Sequence, residues 1–284
     1  MKKGILIYYR EDYEKNVWFA NKIMEDAKKH NMLIRLVLTE EILVGINENG
    51  LYSHFADDND DDFDFVINRS RDTIIAKHFE LMGYKVFNSS LVTDISNNKA
   101  KTHQLVNSLG IKSVNTLLCN KKSINFNAIN LKFPIVLKSV CGHGGKAVFQ
   151  VKDINELKNK LSDIENDEFI LQEMCATPGI DIRVYIIGNK ITAAVKRFSE
   201  NNFKANYSLG GQSELFILSD REKRTVNKIT ETMNFDFVGI DFILDEKYNF
   251  LFNEIEDVVG TRTLYNHNVD IVENYLEYVR KILG

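Results

Sequence analysis

The sequence predicts an α/β N-terminal domain followed by a larger α+β region with a mainly antiparallel sheet. The chain opens with alternating strand and helix patterns, as in a β-α-β unit, whereas later strands are joined by short turns, as in hairpins. The chain contains only two prolines and no Gly/Ser-rich linker, so composition marks no domain boundary. Pattern alone places the domains at residues 1–94, 95–178 and 179–284.

The N-terminal elements follow from hydrophobic periodicity. Short apolar runs predict strands, and apolar side chains at helical spacing, such as Phe19, Ile23 and Ala27, predict a helix between the first two strands. A glycine at position 83 predicts the end of a second helix. The predicted order is a strand (4–9), a helix (14–30), a strand (33–38), a strand (65–68), a helix (72–82) and a strand (85–87).

The second region combines isolated helices with hairpins. Gly188-Asn189 is a two-residue turn signal between two strand patterns, and Gly110 predicts the end of a helix. The predicted order is a helix (99–110), a strand that reaches Cys119, strands (133–140 and 147–151), a helix (153–161), strands (169–174, 182–187 and 190–197), a helix (220–234), a hairpin (238–257) and a closing helix (268–283).

Composition excludes several classes of protein. A formal net charge of −4 and a pI near 5.9 argue against a general nucleic-acid binder, which usually carries a basic excess. Three widely spaced cysteines predict neither a disulfide framework nor a zinc site, and therefore a reducing, cytoplasmic setting. No apolar run approaches the length of a membrane span.

The most informative chemical feature is a pair of apolar runs that carry acidic residues. Asp241 lies inside the first run, and Glu254 and Glu256 close the second. Antiparallel pairing about a turn centred between residues 247 and 248 places Asp241 opposite Glu254, while Glu254 and Glu256 share one face. Buried carboxylates need compensation, and an all-oxygen donor set favours Mg²⁺ or Mn²⁺. We therefore expect a bound divalent cation to compensate these acids; the alternative is a solvated hairpin with unrelated acids.

A glycine loop follows the apolar strand that contains Lys138. Its Gly144 and Gly145 would let backbone N–H groups turn toward phosphate oxygens. A Walker A loop is excluded because alanine, not serine or threonine, follows the loop lysine. A dinucleotide fingerprint is excluded because residues 147–151 alternate as a strand where that motif requires a helix. The loop is predicted to cover nucleotide phosphates, with a plain tight turn as the alternative.

Charged side chains on or beside predicted strands are further candidates. Lys99 begins a helix, and Lys138 lies among Ile, Val and Leu, where a lysine is seldom buried without a partner. The alternative for Lys138 is that its stem is buried and its ammonium reaches solvent. Arg183 and Arg197 lie near one another on the strands that flank the predicted turn, although not directly opposed. Two neighbouring guanidinium groups require an anion between them, a phosphate or a carboxylate; otherwise both lie on an exposed sheet face.

Taken in order, these motifs resemble an ATP-grasp ligase, and within that superfamily the RimK-like carboxylate–amine ligases. The resemblance covers nearly the whole chain and depends on the order and spacing of the motifs. The motifs that carry it are Lys99-Ala-Lys-Thr-His-Gln-Leu105, Pro134-Ile-Val-Leu-Lys138 with its glycine loop, Gln172-Glu-Met174, Gly179-Ile-Asp-Ile-Arg183, Phe203-Lys-Ala-Asn206 with Gly210-Gly211, and Gly239-Ile-Asp241 with Glu254-Ile-Glu256.

The resemblance implies an ATP-grasp fold, in which an N-terminal pre-ATP-grasp domain precedes two α+β subdomains that hold the nucleotide. It also implies roles for individual residues. The segment Gln172-Glu-Met174 corresponds to the hinge that contacts adenine, and Asp181 corresponds to the acid that contacts the ribose. The implied nucleotide-binding residues are Lys99, Lys138, Gly144, Gly145, Glu173, Met174, Asp181 and Lys204. The candidates for stabilising the γ-phosphate and an acyl phosphate are Arg183, Arg197 and Asn206. The implied metal ligands are Asp241, Glu254 and Glu256.

The implied reaction uses ATP and Mg²⁺ or Mn²⁺. A substrate carboxylate attacks the γ-phosphate to give an acyl phosphate and ADP, and an amine then displaces phosphate to form an amide. The expected substrates are small-molecule or peptide carboxylates and amines, with no nucleic acid and no membrane partner, and a homo-oligomer is left open. Alternative functions are a peptide-modifying ligase with a non-amine acceptor, and a nucleotide-binding protein that has lost catalysis.

Three departures from the family pattern bear on the substrate. Glu256 stands where the family usually has asparagine, which adds one negative charge to the metal site. Lys204 stands where the family has arginine, which keeps the charge but loses the bidentate fork. The segment 257–262, which ends in Arg262, replaces the usual small-residue-Pro-Gly sequence. Substrate recognition is therefore expected to differ from that of characterised members.

Overall fold

The computed structural model of the chain describes residues 1–56, 62–142, 144–145, 147–199 and 212–284. Its N-terminal domain is built on a four-stranded parallel sheet of order β2-β1-β5-β6, which confirms the predicted β-α-β opening. The elements of this domain are β1 (Lys2–Tyr8), α1 (Arg10–Asp26), β2 (Met32–Leu38), β3 (Ile42–Asn47), β4 (Gly50–Phe55), β5 (Phe65–Asn68), α2 (Thr73–Leu81) and β6 (Lys85–Phe87).

The sequence pattern did not predict the β3–β4 hairpin. Leu43 and Ile46 are 69% and 78% exposed on β3, so its apolar residues do not alternate with the pleat and give no clear strand pattern. A second difference lies in α1, whose backbone is non-helical at Asn16 (φ −128°, ψ 22°). This break matters below because it lies beside a cleft.

The middle of the chain forms a four-stranded antiparallel sheet of order β7-β10-β8-β9. Lys138 pairs with Ile170 on one side and Val148 on the other, so the glycine loop joins two antiparallel strands, as predicted. The elements here are α3 (Ser90–Ser96), α4 (Lys99–Ser108), β7 (Thr116–Asn120), β8 (Ile135–Ser139), β9 (Val148–Val151), α5 (Ile154–Lys160) and β10 (Glu168–Glu173).

The C-terminal part forms a five-stranded antiparallel sheet of order β13-β12-β11-β14-β15. Asp241 lies at its centre, opposite Arg183 on one neighbouring strand and opposite Glu254 on the other. The predicted pairing of Asp241 with Glu254 is thus confirmed. The elements are β11 (Ile180–Ile187), β12 (Lys190–Phe198), β13 (Gln212–Leu215), α6 (Asp220–Thr230), β14 (Phe237–Leu244), β15 (Phe250–Glu256), α7 (Arg262–Tyr265) and α8 (Ile271–Leu283).

Residues 90–111 form two helices that pack on the C-terminal sheet. Val92 on α3 and Val106 on α4 are buried in the same core as Ile182 and Val238 of the five-stranded sheet. A bridge between Ser113 and Phe252 ties this segment to β15 as well. Helix α4 packs on the C-terminal sheet, and α3 lies between it and the N-terminal domain. This places Lys99, at the start of α4, beside the carboxylate hairpin.

Helices long and apolar enough to cross a membrane are absent from the described part of the chain.

Candidate active site

Two adjoining clefts lie where the three sheets meet. The first cleft lies between the four-stranded antiparallel sheet and the five-stranded sheet, and it contains about 820 Å³ of open space. Both polar and apolar side chains line it, as is usual for small-molecule sites. It brings together eight of the residues predicted from the sequence, namely Lys99, Lys138, Gly144, Gly145, Glu173, Met174, Asp181 and Glu254.

The glycine loop forms one wall of the first cleft. Gly144 and Gly145 both have positive φ angles, +63° and +75°, which side chains other than glycine rarely adopt. Since neither residue carries a side chain, the backbone itself borders the cleft at this point. His143 and the loop lysine lie outside the described residues.

Lys138 extends from β8 into the first cleft. Its Nζ donates a hydrogen bond of 2.9 Å to Oδ1 of Asn253 on β15. The pKa of Lys138 is lowered to about 8, mainly by burial and also by the positive charge of Lys99, while the charge of Glu254 opposes the shift. The lysine is therefore anchored by a neutral amide rather than by a carboxylate, and its charge is available to an anionic ligand. The sequence did not single out Asn253, whose only indication was its place next to Glu254.

Lys99 connects the glycine loop to the carboxylate hairpin. It is the first residue of α4, whose N-terminus is capped by the side chain of Asn98. Its Nζ donates to the carbonyl oxygen of Gly142 and lies 3.3 Å from Oε2 of Glu254. The ammonium group thus stands at the junction of both clefts, since Lys99, Gly142 and Glu254 line both.

The hinge residues Glu173 and Met174 line the opposite end of the first cleft. The carboxylate of Glu173 accepts hydrogen bonds from Nδ2 of Asn115 (2.8 Å) and from the backbone N–H of Lys132 (2.9 Å). These bonds use both oxygens of Glu173 to fasten the hinge. Each oxygen keeps a further acceptor site, and contact of Glu173 with a base stays a prediction.

Five charged side chains on the five-stranded sheet form an arginine–carboxylate cluster: Asp181, Arg183, Arg197, Asp241 and Glu256. Asp241 is fully buried, and its carboxylate accepts bidentate bonds of 2.8 and 2.7 Å from Arg183 and a further bond of 2.7 Å from Arg197. Arg197 also makes a bidentate pair with Asp181, and Nη2 of Arg183 lies 2.8 Å from Glu256.

This geometry answers the question of what lies between the two arginines. The anion is the carboxylate of Asp241, one of the two candidates that the sequence left open. Burial by itself would raise the pKa of Asp241, but the charges of Arg183 and Arg197 outweigh it and lower that pKa to about 2. Two guanidinium groups therefore compensate the charge of Asp241 within the protein, and its role as a metal ligand stays a prediction.

Glu254 and Glu256 retain the geometry of a metal site. Oxygens of Asp241, Glu254 and Glu256 lie within 4.8 Å of one another, and all are hard donors that suit Mg²⁺. Glu254 and Glu256 face the second cleft, with side chains 24% and 26% exposed. Asp241 lies behind them with both oxygens bonded to arginine. The residues present fit a divalent cation held mainly by the two glutamates.

The second cleft lies between the N-terminal domain and the five-stranded sheet. Its walls include Arg183, Arg197 and Glu256 on one side and the start of α1 on the other. Arg71 also borders it, with a left-handed backbone (φ 62°) and an ion pair to Asp12. Sequence reasoning missed Arg71 and Asp12, because nothing in the N-terminal pattern shows that its loops face the C-terminal sheet.

Two predicted site residues, Lys204 and Asn206, lie outside the described residues. The structure therefore assigns them no position.

A comparison with solved structures gives the class of fold. The chain superposes on a RimK-domain ATP-grasp protein from Sphaerobacter thermophilus with a TM-score of 0.72 at 16% sequence identity, covering 98% of this chain and 99% of that one. The predicted ATP-grasp fold is confirmed.

The sequence comparisons give the family. Residues 96–279 match the model of the RimK-like ATP-grasp domain, and the chain belongs to this family. It is 30% identical over 270 residues to the uncharacterized protein MG011 of Mycoplasma genitalium, covering 93% of this chain and 86% of that protein. It is 26% identical over 276 residues to the alpha-aminoadipate–LysW ligase LysX of Sulfurisphaera tokodaii, covering 93% and 94%. The predicted reaction class, an ATP-dependent carboxylate–amine ligase, is confirmed with it.

Proposed function

We propose that the protein binds ATP in the first cleft, activates a substrate carboxylate as an acyl phosphate, and transfers the acyl group to an amine that enters through the second cleft. The observation that supports this most strongly is the junction of the clefts. Lys99 and Glu254 border both clefts, so the terminal phosphate of a nucleotide in the first cleft would lie next to a substrate in the second.

In the first cleft, the hinge at Glu173 and Met174 would border the base. Lys138 and Lys99 would neutralise phosphate charge, and Gly144 and Gly145 would let the backbone approach the phosphates closely. The carboxylate of Asp181 is paired with Arg197. A ribose contact by Asp181 therefore requires that it accept a hydroxyl donor in addition to the guanidinium.

Glu254 and Glu256 would hold a divalent cation at the junction, with Asp241 behind them, and this oxygen donor set accepts Mg²⁺ or Mn²⁺. When bound, the cation would supply positive charge at the β- and γ-phosphates. Glu256 adds negative charge that the usual asparagine lacks, and its ion pair with Arg183 balances that charge within the protein.

The first step breaks the bond between the γ-phosphorus and the bridging oxygen. A carboxylate oxygen of the substrate attacks that phosphorus, and ADP leaves with the bond electrons. In the second step the neutral amine nitrogen attacks the acyl carbon, the bond between that carbon and the phosphate oxygen breaks, and phosphate leaves with its electrons. The nitrogen passes its proton to the departing phosphate or to water. Arg183 and Arg197 line the second cleft beside the junction, and from there they would stabilise the acyl phosphate. Asn206 and Lys204 stay candidates for the same task.

The relatives narrow the substrate class. Because LysX is named as a ligase for alpha-aminoadipate, we propose that this chain also acts on an amino acid or an amino-acid residue of a peptide. The second cleft is lined by charged and polar side chains, among them Asp12, Arg71 and Glu256, which suits a polar substrate.

A coupled ADP-release assay tests the proposal. The purified protein is supplied with Mg²⁺, ATP and pairs from a panel of carboxylates, amino acids and short acidic peptides, and products are weighed by mass spectrometry. We expect sustained ADP release only when a carboxylate and an amine are both present, with an amide as product. Nucleotide binding without turnover across the panel would favour the non-catalytic alternative, and turnover with a product other than an amide would favour a non-amine acceptor.

A further inference from the structure

Arg262 differs from the other cationic side chains that line the second cleft. Within the described parts of the chain, each of the others lies within salt-bridge distance of a carboxylate, and Arg262 does not. Its Nη2 donates instead to the backbone carbonyl of Lys15. The paired cations and their partners are Lys15 with Glu11, Arg71 with Asp12, Lys99 with Glu254, Arg183 with Asp241, and Arg197 with Asp181.

The guanidinium group has donors to spare. Arginine carries five N–H donors in a planar fork that matches a carboxylate, and the carbonyl of Lys15 accepts from Nη2 alone. That carbonyl lies next to the break of α1 at Asn16. The contact holds one side of the guanidinium against the N-terminal domain, and the remaining donors are available to a ligand in the cleft.

The segment that presents Arg262 is fixed on several sides. Nη2 of Arg69 donates to the carbonyl of Val259 (2.9 Å), and the hydroxyl of Tyr185 donates to the carbonyl of Gly260 (2.9 Å). Asp257 accepts from Nδ2 of Asn88 at 2.6 Å. These bonds come from both the N-terminal domain and the five-stranded sheet. The backbone before Arg262 is therefore held in one position before any substrate binds, which lowers the entropic cost of binding.

Position within the clefts indicates which substrate Arg262 meets. It lines the second cleft and not the first, whereas Lys99 and Glu254 line both. A carboxylate that is being phosphorylated must lie at the junction, beside the γ-phosphate. In the proposed reaction the amine would approach the acyl group from the side that the nucleotide does not occupy, and Arg262 lies on that side.

We propose that Arg262 binds a second, non-reacting carboxylate on the amine-bearing substrate, such as the α-carboxylate of an amino acid. This inference rests on the proposed function and makes Arg262 a residue that determines specificity. The amine-bearing substrate would then be an α-amino acid or a peptide fragment with a free carboxylate near its amine, rather than a simple alkylamine.

Calorimetric titration tests the inference without turnover. The protein is first saturated with magnesium and a non-hydrolysable ATP analogue. It is then titrated with acidic, basic and apolar α-amino acids and with the α-amide of each. Glutarate, which has two carboxylates but no amine, is titrated as well. We expect the best-bound amino acid to bind about tenfold or more tightly than its amide. In Arg262→Gln this preference should fall to about twofold, and Arg262→Lys should keep part of it because the charge remains.

Two controls separate this result from general damage. Arg280→Gln removes an exposed arginine from α8, away from both clefts, and should leave the preference intact. The affinity for the ATP analogue should be the same in Arg262→Gln as in the unmodified protein.

The inference is overturned if amino acids bind no better than their amides, if the preference survives in Arg262→Gln, or if only glutarate loses affinity in that variant. A loss of glutarate binding alone would place the second carboxylate on the acyl donor. If the preference depends on Arg262 but no pair of substrates releases ADP, the proposed function fails and the binding site stands. If ADP is released equally well with amines that have an α-carboxylate and with amines that lack one, the proposed function stands and the role of Arg262 fails.

Discussion

The first cleft and the arginine–carboxylate cluster both contain charged residues on strands, but their charges are compensated differently. In the first cleft, Lys138 is anchored by the amide of Asn253, and no carboxylate bonds to it among the described residues. In the cluster, Asp241 is enclosed by Arg183 and Arg197, each of which has a further carboxylate partner. One region presents unneutralised charge to a ligand, whereas the other is already balanced.

The difference separates binding from support. Buried ion pairs rarely add net stability, but removing one partner leaves an uncompensated charge in a low-dielectric environment. The other four members of the cluster would therefore hold Glu256, and through the sheet Glu254, in position, and the two arginines would offer an acyl phosphate only the donors that their carboxylate partners leave. The first cleft resembles a site that is completed by its ligand. The predictions below test this distinction, from the largest expected effect to the smallest.

Asp241→Asn tests the cluster most severely. The change removes the charge that holds two buried guanidinium groups together, so we expect the free energy of unfolding to fall by about 3–5 kcal/mol. Urea denaturation followed by circular dichroism measures this quantity. Asp220→Asn, at the exposed N-terminus of α6, is the matched control and should change stability by about 0.5 kcal/mol or less. An Asp241→Asn protein as stable as the control would show that the cluster is not held by Asp241.

Glu254→Gln tests the junction instead of the support. Its side chain borders both clefts and pairs only with Lys99 among the described residues, so folding should be preserved. Loss of the carboxylate should reduce the rate of ADP release about 10²-fold or more, because charge compensation at the phosphates is weakened. The rate is measured at saturating ATP over a range of magnesium concentrations. Turnover within about threefold of the unmodified protein would remove Glu254 from the metal site.

The pH dependence of nucleotide binding tests Lys138. Its pKa of about 8 means that the ammonium form, which attracts phosphate, predominates below pH 8 and is lost above it. Nucleotide affinity should therefore be nearly constant from pH 6.5 to pH 7.5 and fall by about tenfold per pH unit above pH 8, until the pKa of the bound form is reached. Fluorescence titration with a labelled ATP analogue measures the profile.

Lys138→Arg provides the comparison, because arginine stays charged throughout this range. Its profile should be flat where that of the unmodified protein falls. A flat profile in both proteins would mean that Lys138 does not contribute its charge to binding.

The parts of the fold that could be predicted are those in which local pattern and tertiary packing agree. Apolar runs and turn residues predict the parallel N-terminal strands, the hairpin that turns at Gly188 and the hairpin whose first strand contains Asp241. The β3–β4 hairpin could not be predicted because Leu43 and Ile46 face solvent. The packing of α3 and α4 on the C-terminal sheet depends on contacts far apart in sequence, which no local pattern records.

The candidate site shows the same limit. The types and order of the residues predicted that Lys99, Lys138 and Glu254 lie in one cleft, and the predicted strand register correctly paired Asp241 with Glu254. The arginine partners of Asp241 could not be predicted in this way. Strand β14 pairs with β11 as well as with β15, and it is the pairing with β11 that places Arg183 opposite Asp241. Arg71 was missed since the approach of its loop to the cleft depends on how the domains pack.

Transfer of isotopic oxygen tests the central claim, that substrate carboxylate is activated by direct attack on the γ-phosphate. A carboxylate substrate identified in the ADP-release screen is labelled with ¹⁸O in both oxygens, and the released phosphate is analysed by mass spectrometry. The proposed chemistry predicts one ¹⁸O atom in each phosphate formed with amide. Phosphate that contains no ¹⁸O, released at the same rate as amide forms, would contradict it.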